Sequence, residues 1–339
     1  QQKLGSVADK TRRIVALSGQ IAEALDADSS VTQRAATLAK CDLVTNLVLE
    51  FPDLQGIAGA HYAHHDGESE SVASAIEQHY WPRFSGDQLP NSAEASAVAL
   101  ADRLDTLVGI FGIGQAPTGS KDPFALRRGA LAVIRLLVNL DSPLTLLDLA
   151  QRAVQEYPEN LLDSDTATAV TEYTLERFRS WYDDQNIAVE VLRAVLATGI
   201  TGPAEVDRRV SALNVFAGTE AAIALAAANK RVANILSKSG ETRAGTPMPN
   251  LFDQPAEKQL YETLEGLKAG VAEKISAGDY AAALSKLATL HAPVDSFFED
   301  VMVNADDPAI RDNRHELLAA LRNAFTGIAD FALLGGGSK

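Results

Sequence analysis

The sequence predicts an all-α protein, and three observations carry that reading. Ala and Leu are abundant, while aromatic residues are only 6% of the 339, a mix that favours helix over sheet. Apolar residues recur at three- and four-residue spacing along nearly the whole chain, as they do on one helix face. No stretch of useful length alternates apolar and polar residues like a half-buried strand, and no internal repeat is visible.

The elements follow in order. Ile14, Leu17, Ile21 and Leu25 mark an amphipathic helix over about residues 8–25. Leu38, Cys41, Val44, Leu47, Val48 and Phe51 predict a second over about 31–51, interrupted by Pro52 and Gly56. Asp53 is placed to cap a short helix ending at Gly67, and Val72, Ile76 and Tyr80 predict another over 69–80, stopped by Pro82. Asn91 and Glu94 have the spacing of a capping box, although the usual first residue is Ser or Thr. Ser92 is the better cap, but Ala95 three positions on cannot reach back. The helix behind this start is long and apolar through Val98, Leu104, Leu107, Val108 and Phe111, and ends at Gly112-Ile113-Gly114. After a Gly/Pro loop, Pro123 is expected just inside the next helix, where its missing N–H costs nothing. Leu126, Ala130, Val133, Ile134 and Leu137 make that helix a buried one. Residues 144–181 hold two or three more. Thr201-Gly202-Pro203 is the clearest punctuation and marks a domain boundary. Beyond it come a helix over 217–236, a loop over 243–255, and helices over 257–276, 280–290, 294–302 and 310–333.

Composition excludes several classes. Thirty Lys and Arg against 45 Asp and Glu give a net charge of −15, which argues against coating nucleic acid by charge alone and against DNA as a partner. A specific RNA binder can still be acidic if its cations are concentrated. Lys10, Arg12 and Arg13, then Lys121, Arg127, Arg128 and Arg135, then Lys230, Arg231, Lys238 and Arg243 form such clusters. No run of apolar residues is long enough to span a membrane. The single cysteine, Cys41, fits a reducing, cytoplasmic setting. The start at Gln1-Gln2 is neither a signal peptide nor an initiator Met, so the chain reads as a piece of something longer.

Two motifs invite chemistry that the residues do not support. Gly114 to Lys121 has the glycines of a phosphate loop, but its Ser-Lys order is reversed and a helix, not a strand, precedes it. His61, His64 and His65 sit with Asp66. His61 and His65 share a helix face, yet Asp66-Gly67-Glu68 is a helix exit where such side chains are usually solvated. No metal is expected.

Several longer motifs are colinear with a known family. They include Ala39-Lys40-Cys41-Asp42-Leu43-Val44-Thr45, Ala101-Asp102-Arg103-Leu104-Asp105, Lys121-Asp122-Pro123-Phe124-Ala125-Leu126-Arg127-Arg128, Ala228-Asn229-Lys230-Arg231-Val232-Ala233-Asn234 and Arg311-Asp312-Asn313-Arg314. From about Leu4 to Leu334 the chain resembles the second half of the β subunit of the bacterial two-subunit glycyl-tRNA synthetases. The resemblance implies an HD-like helical domain over 1–140, a helical connector over 141–203, an anticodon-binding domain over 204–334 and a flexible tail over 335–339.

It also implies the function. The chain would bind tRNA(Gly) and position it for ATP-dependent glycylation by the α subunit. ATP and magnesium would belong to that subunit, and this part would hold no cofactor and no catalytic residue. HD hydrolases hold metal with a His, a His-Asp pair and a later Asp. Here Cys41 stands where the paired His should be, Asp42 and Asp102 remain, and no His occurs near Asp9-Lys10-Thr11. The site is therefore read as degenerate, with Asp42 a buried anchor paired with Arg103. For tRNA, Arg231, Asn234 and Lys238 lie along one helix face, while Asn229 and Lys230 face elsewhere. Lys230 still belongs to the candidate set on its chemistry, as do Arg311, Arg314, Arg127 and Arg128. The rival readings are a metal-dependent HD-type phosphohydrolase and a structural helical adaptor.

Overall fold

The computed structural model describes residues 1–119, 121–238 and 245–336. Ser120, Arg243 and the end of the expected tail, 337–339, lie outside the described residues. The chain divides into two compact units: Gln1–Trp181 with Thr201–Ala204, and Tyr182–Ile200 with the residues from Glu205 onward. The first contains α1 (Val7–Ala24), α2 (Ser29–Leu38), α3 (Asn46–Glu50), α4 (Ile57–His65), α5 (Glu70–Gln78), α6 (Ala93–Gly112), α7 (Leu126–Asn139), α8 (Leu146–Gln155) and α9 (Thr166–Leu175). The chain crosses between units within α10 (Arg177–Asp183), between Ile200 and Thr201, and within α12 (Pro203–Ala217). The second unit holds α11 (Val189–Leu196), α13 (Glu220–Lys238), α14 (Pro255–Ser276), α15 (Tyr280–Leu287), α16 (His291–Asp300) and α17 (Pro308–Thr326). Among the described residues the only β pairing is an isolated bridge between Thr118 and Lys121. No single helix among them is long and apolar enough to cross a membrane.

α6 is the axis of the first unit. Every residue from Ala95 to Ala101 is buried, as are Leu104, Leu107 and Val108. Its small side chains let α1, α2, α5, α7, α8 and α9 pack around it. At Gly109 a Cβ would come 2.3 Å from the Tyr157 hydroxyl, which donates to the Asp105 carbonyl at 2.8 Å.

Local chemistry changes several expected boundaries. The helix expected over 31–51 is α2, a 3-10 turn at Cys41–Val44, and α3. The break follows from two polar side chains. Thr45 Oγ1 accepts from the Val48 N–H at 3.3 Å and starts a new helix. Asp42 turns inward, and its Oδ2 accepts from Gly56 N–H at 2.7 Å and Gly59 N–H at 3.3 Å. Asp42, not Asp53, thus supplies the acceptor at the start of α4. Val44, which the periodicity assigned to the core, is 83% exposed.

Ser92 is the cap of α6, accepting from Ala95 N–H at 3.1 Å, while Glu94 reaches across to Asp28 N–H at 3.3 Å. Pro123 lies before α7, not inside it. The Asp122 carboxylate caps α7 by accepting from Leu126 at 2.8 Å and Arg127 at 3.0 Å. The last helix stops at Thr326. Asp330 N–H then donates to Ala194 O at 2.8 Å, which turns the chain onto α11 and buries Ile328, Ala329 and Phe331. Gly335 and Gly336 complete the 3-10 turn that begins at Phe331.

In the second unit α12 and α13 meet at a 106° bend. α14 packs against α15, α16 and α17, and α13 packs against α16 and α17. Glu257 ties these helices together. It is fully buried, and its Oε2 accepts from the N–H groups of Asp253 at 2.9 Å and Gln254 at 2.7 Å, closing the start of α14. Arg314 of α17 donates to it at 2.8 and 3.2 Å and also to Met302 O at 2.9 Å.

Glu257→Ala would strand the buried Arg314 guanidinium. Removing one partner of such a pair costs about 3–5 kcal/mol. Urea denaturation of the variant should show a loss in that range, whereas a loss below about 1 kcal/mol would mean that water replaces the carboxylate.

Candidate nucleic-acid interface

In the first unit, only Asp102 of the positions singled out as a degenerate metal site lies in a charge knot. Asp102 sits on α6 with Lys10 Nζ 2.8 Å from Oδ1 and Lys40 Nζ 2.8 Å from Oδ2. Lys40 also contacts His79 Nε2 at 2.8 Å and lies 4.1 Å from the centre of the Tyr80 ring. His79 Nδ1 donates to Ile76 O at 2.6 Å, so Nε2 carries the lone pair that accepts from Lys40. Burial raises the Asp102 carboxyl, but the Lys10 and Lys40 ammonium groups outweigh it and hold the group well below the usual carboxylate range. Burial pulls the Lys40 ammonium down, with Lys10 adding to the effect. Lys10 is raised, because Asp102 and Asp105 overcome its burial.

A carboxylate and an imidazole nitrogen are metal ligands by type. Here a lysine ammonium occupies their shared space, and a second sits where a His was sought near position 10. These residues do not fit a metal. Asp42 is buried at the start of α4, and Cys41 is exposed with Sγ 3.9 Å from Thr37 O. The expected Asp42–Arg103 pair is absent. Arg103 instead donates to the carbonyls of His79, Ala99, Tyr80 and Pro82. His64 and His65 are largely exposed, and the latter pairs with Asp66 at 3.2 Å.

In the second unit, α13 and α17 border a groove of about 800 Å³. Lys230, Arg231, Asn234 and Lys238 line it from α13, Arg311, Asp312 and His315 from α17, and Asn304 from the loop between α16 and α17. The Arg231 guanidinium stacks 4.3 Å from the centre of the Phe298 ring, which fixes its plane before any ligand arrives. Arg311 Nη1 donates to Ala305 O at 3.3 Å. Cations suited to phosphate thus stand beside amide and carboxylate groups suited to base edges.

A family model described as glycyl-tRNA synthetase beta subunit matches residues 1–197. The chain belongs to that family. A second model, described as DALR anticodon binding domain, matches residues 225–335, which include every residue of the groove. The glycine–tRNA ligase beta subunits of Actinobacillus pleuropneumoniae serotype 7 (strain AP76) and Haemophilus influenzae (strain ATCC 51907) are each 51% identical over 334 residues. The beta subunit of Edwardsiella ictaluri (strain 93-146) is equally similar. The aligned part is 98% of this chain and 48% of each relative, so the chain spans about half their length.

Within this chain, the candidate RNA-contacting residues separate. Lys230, Arg231, Asn234, Lys238 and Arg311 meet in one groove, and Lys230 reaches it despite being expected to face away. Asn229 is buried and donates to Leu225 O at 2.9 Å. Arg314 does not join them, because its guanidinium is committed to Glu257 in the core. Arg127 and Arg128 belong to the first unit, where Arg127 turns back to Gly119 O and Arg128 is exposed. Sequence reasoning missed Asn304, Asp312 and His315 in the groove, and Phe298 beneath Arg231. A four-residue step links Arg311 to His315 and could have flagged one of them. Lys40 and His79 carried no signal as replacements for a metal, and Lys10 and Arg13, expected in a cation cluster for RNA, are instead committed to Asp102 and Asp105.

The knot has a consequence for stability. Burial and Lys40 hold His79 well below its usual range, with Arg103 adding repulsion and Asp102 opposing. Its contribution is complete above the unfolded value near 6.5 and is lost as pH falls below it, because only the unfolded chain takes up the proton. Unfolding free energy should fall by up to about 1.4 kcal/mol per pH unit from this group between pH 6.5 and 5. His79→Gln should remove that component, and an unchanged slope in the variant would assign it elsewhere.

Proposed function

We propose that this chain is the tRNA(Gly)-binding part of a glycine–tRNA ligase β subunit. The observation that carries the reading is the groove of the second unit. Three α13 side chains with phosphate or base-edge chemistry, Arg231, Asn234 and Lys238, share one wall, and Lys230 and Arg311 flank them. The groove lies inside the stretch similar to an anticodon-binding domain. Its volume suits an unstacked base and its phosphate, and single-stranded loops are where RNA sequence is readable. Arg231, pre-stacked on Phe298, offers a planar edge to a base or phosphate. Lys230, Lys238 and Arg311 supply cations for the backbone.

In this reading residues 1–140 are an HD-like scaffold without metal chemistry, followed by a helical connector over 141–203, much of which packs within the first unit, and the anticodon-binding domain over 204–334. Glycine activation, with its ATP and magnesium, belongs to a separate α subunit in the cytoplasm. This chain raises the rate of glycylation by holding tRNA in orientation, not by acting on bonds. The metal-dependent phosphohydrolase reading has nothing to recommend it, since two lysines stand among the remaining ligand-type groups.

Arg231→Ala and Lys238→Ala, titrated against tRNA(Gly) and an anticodon-swapped tRNA at several salt concentrations, test the reading. Loss of a phosphate contact lowers the salt slope by about 0.7 with either RNA. Loss of a base contact costs roughly 1–3 kcal/mol and depends on the anticodon. Wild-type affinity in both variants, with helix content intact, would make this wall ordinary solvated surface. The chain alone should also give no glycine-dependent ATP–pyrophosphate exchange, and measurable exchange would overturn the assignment of chemistry to another subunit.

A further inference from the structure

Folding leaves one aromatic ring of the first unit in water among arginines. Phe84, on the segment between α5 and α6, is 59% exposed. Its backbone is fastened from several sides. Arg135 of α7 donates to Asp87 O at 2.7 Å and Phe84 O at 3.3 Å. The Asp87 carboxylate accepts from Arg83 Nε at 2.9 Å and from the Arg83 N–H at 2.8 Å. Arg103 holds the carbonyls of Tyr80 at 2.9 Å and Pro82 at 3.1 Å. The ring is therefore presented on a fixed loop, and little ordering entropy is left to spend on binding.

Arg128 stands two helical turns before Arg135 on the same face of α7. It is exposed. Arg83, Phe84, Ser85, Arg128 and Arg135 surround a cleft of about 70 Å³ that no carboxylate among the described residues lines. Asp87 is buried beneath it and paired with Arg83, and Glu77 also faces Arg83. The corner keeps an excess of positive charge on a chain whose net charge is −15, so it does not reflect general basicity.

The geometry selects the ligand. A cleft this small admits no nucleobase or metabolite, so whatever binds must lie on the open face of the ring. A base-paired helix offers no free base face there. An unpaired nucleotide does, and its flanking phosphates suit guanidinium groups. We propose that the Phe84 corner is a second RNA contact, where an unpaired tRNA base outside the anticodon stacks on the Phe84 ring and a neighbouring phosphate pairs with Arg128. This rests on the RNA-binding reading above, but uses a different unit from the groove and residues that the DALR match does not cover.

The test is a set of binding titrations of the 339-residue chain with tRNA(Gly) at several salt concentrations. Phe84→Ala should weaken binding by roughly 5- to 150-fold, the range for one stacked base, and leave the salt slope unchanged. Phe84→Trp should restore affinity. Arg128→Ala should lower the salt slope by about 0.7. The Phe84→Ala loss should be the same for an anticodon-swapped tRNA, and a loss that follows the anticodon would overturn the proposal. Phe84→Ala and Arg128→Ala binding like wild type, while Arg231→Ala binds weakly, would remove this contact and leave the groove standing. Absence of tRNA binding by the wild-type chain would overturn both.

Discussion

One buried guanidinium organises the face that carries the proposed function. Arg314 reaches from α17 to the carboxylate of Glu257 and to Met302 O, and Glu257 closes the first turn of α14. The loop between α16 and α17, which brings Asn304 to the groove, is thereby pinned at Met302. Arg311 pins it again at Ala305. Asn313, between these two arginines, accepts from Met248 N–H at 2.6 Å and donates to Met248 O at 3.1 Å. Four consecutive residues of α17 thus divide their labour. Asn313 and Arg314 build the wall, while Arg311 and Asp312 face the groove. A pair this deeply buried is a costly device. Its value here is geometric, since it holds α17 against the start of α14 and fixes the loop that brings Asn304 to the groove.

The first unit solves a different problem, that of a carboxylate held mostly out of water on a central helix. Asp102 is compatible with the packed core around α6 because Lys10 and Lys40 deliver cations to its two oxygens. Lys10 and Arg13 lie three apart on α1, and Asp102 and Asp105 lie three apart on α6. The two helices therefore meet through a short ladder of opposite charges, extended by the Arg13–Asp105 pair. His79 completes the balance by remaining neutral and accepting from Lys40. In a metal site the central charge would come from an ion. Here it is built into the chain, and the unit is a scaffold on which Phe84 and Arg128 are displayed.

Much of this was legible in the sequence, and the residues show why some was not. The all-α class and the long buried α6 follow from apolar periodicity, which depends only on local spacing. Helix ends do not. The expected helix over 31–51 breaks because Asp42 serves the start of α4, a contact across 14 residues that no window around position 42 reveals. Among the candidate cations, Arg311 and Arg314 look alike in sequence. Glu257, 57 residues away, determines that one is core and the other surface. Lys230 was expected to face away because helical projection ignores the reach of a long side chain. The family resemblance pointed to the stretch of chain that forms the groove, but it did not distinguish a wall-building arginine from a groove-lining one.

The proposed function requires that RNA meet the α13–α17 groove of the second unit. Amide hydrogen exchange with and without saturating tRNA(Gly) examines that directly, because it reads each helix without altering any residue. The expected result is slower exchange in the C-terminal half of α13 and in residues 301–315, with α14 and α15 unchanged. Protection confined to α14 and α15, or none in the second unit while tRNA is bound, would contradict the account.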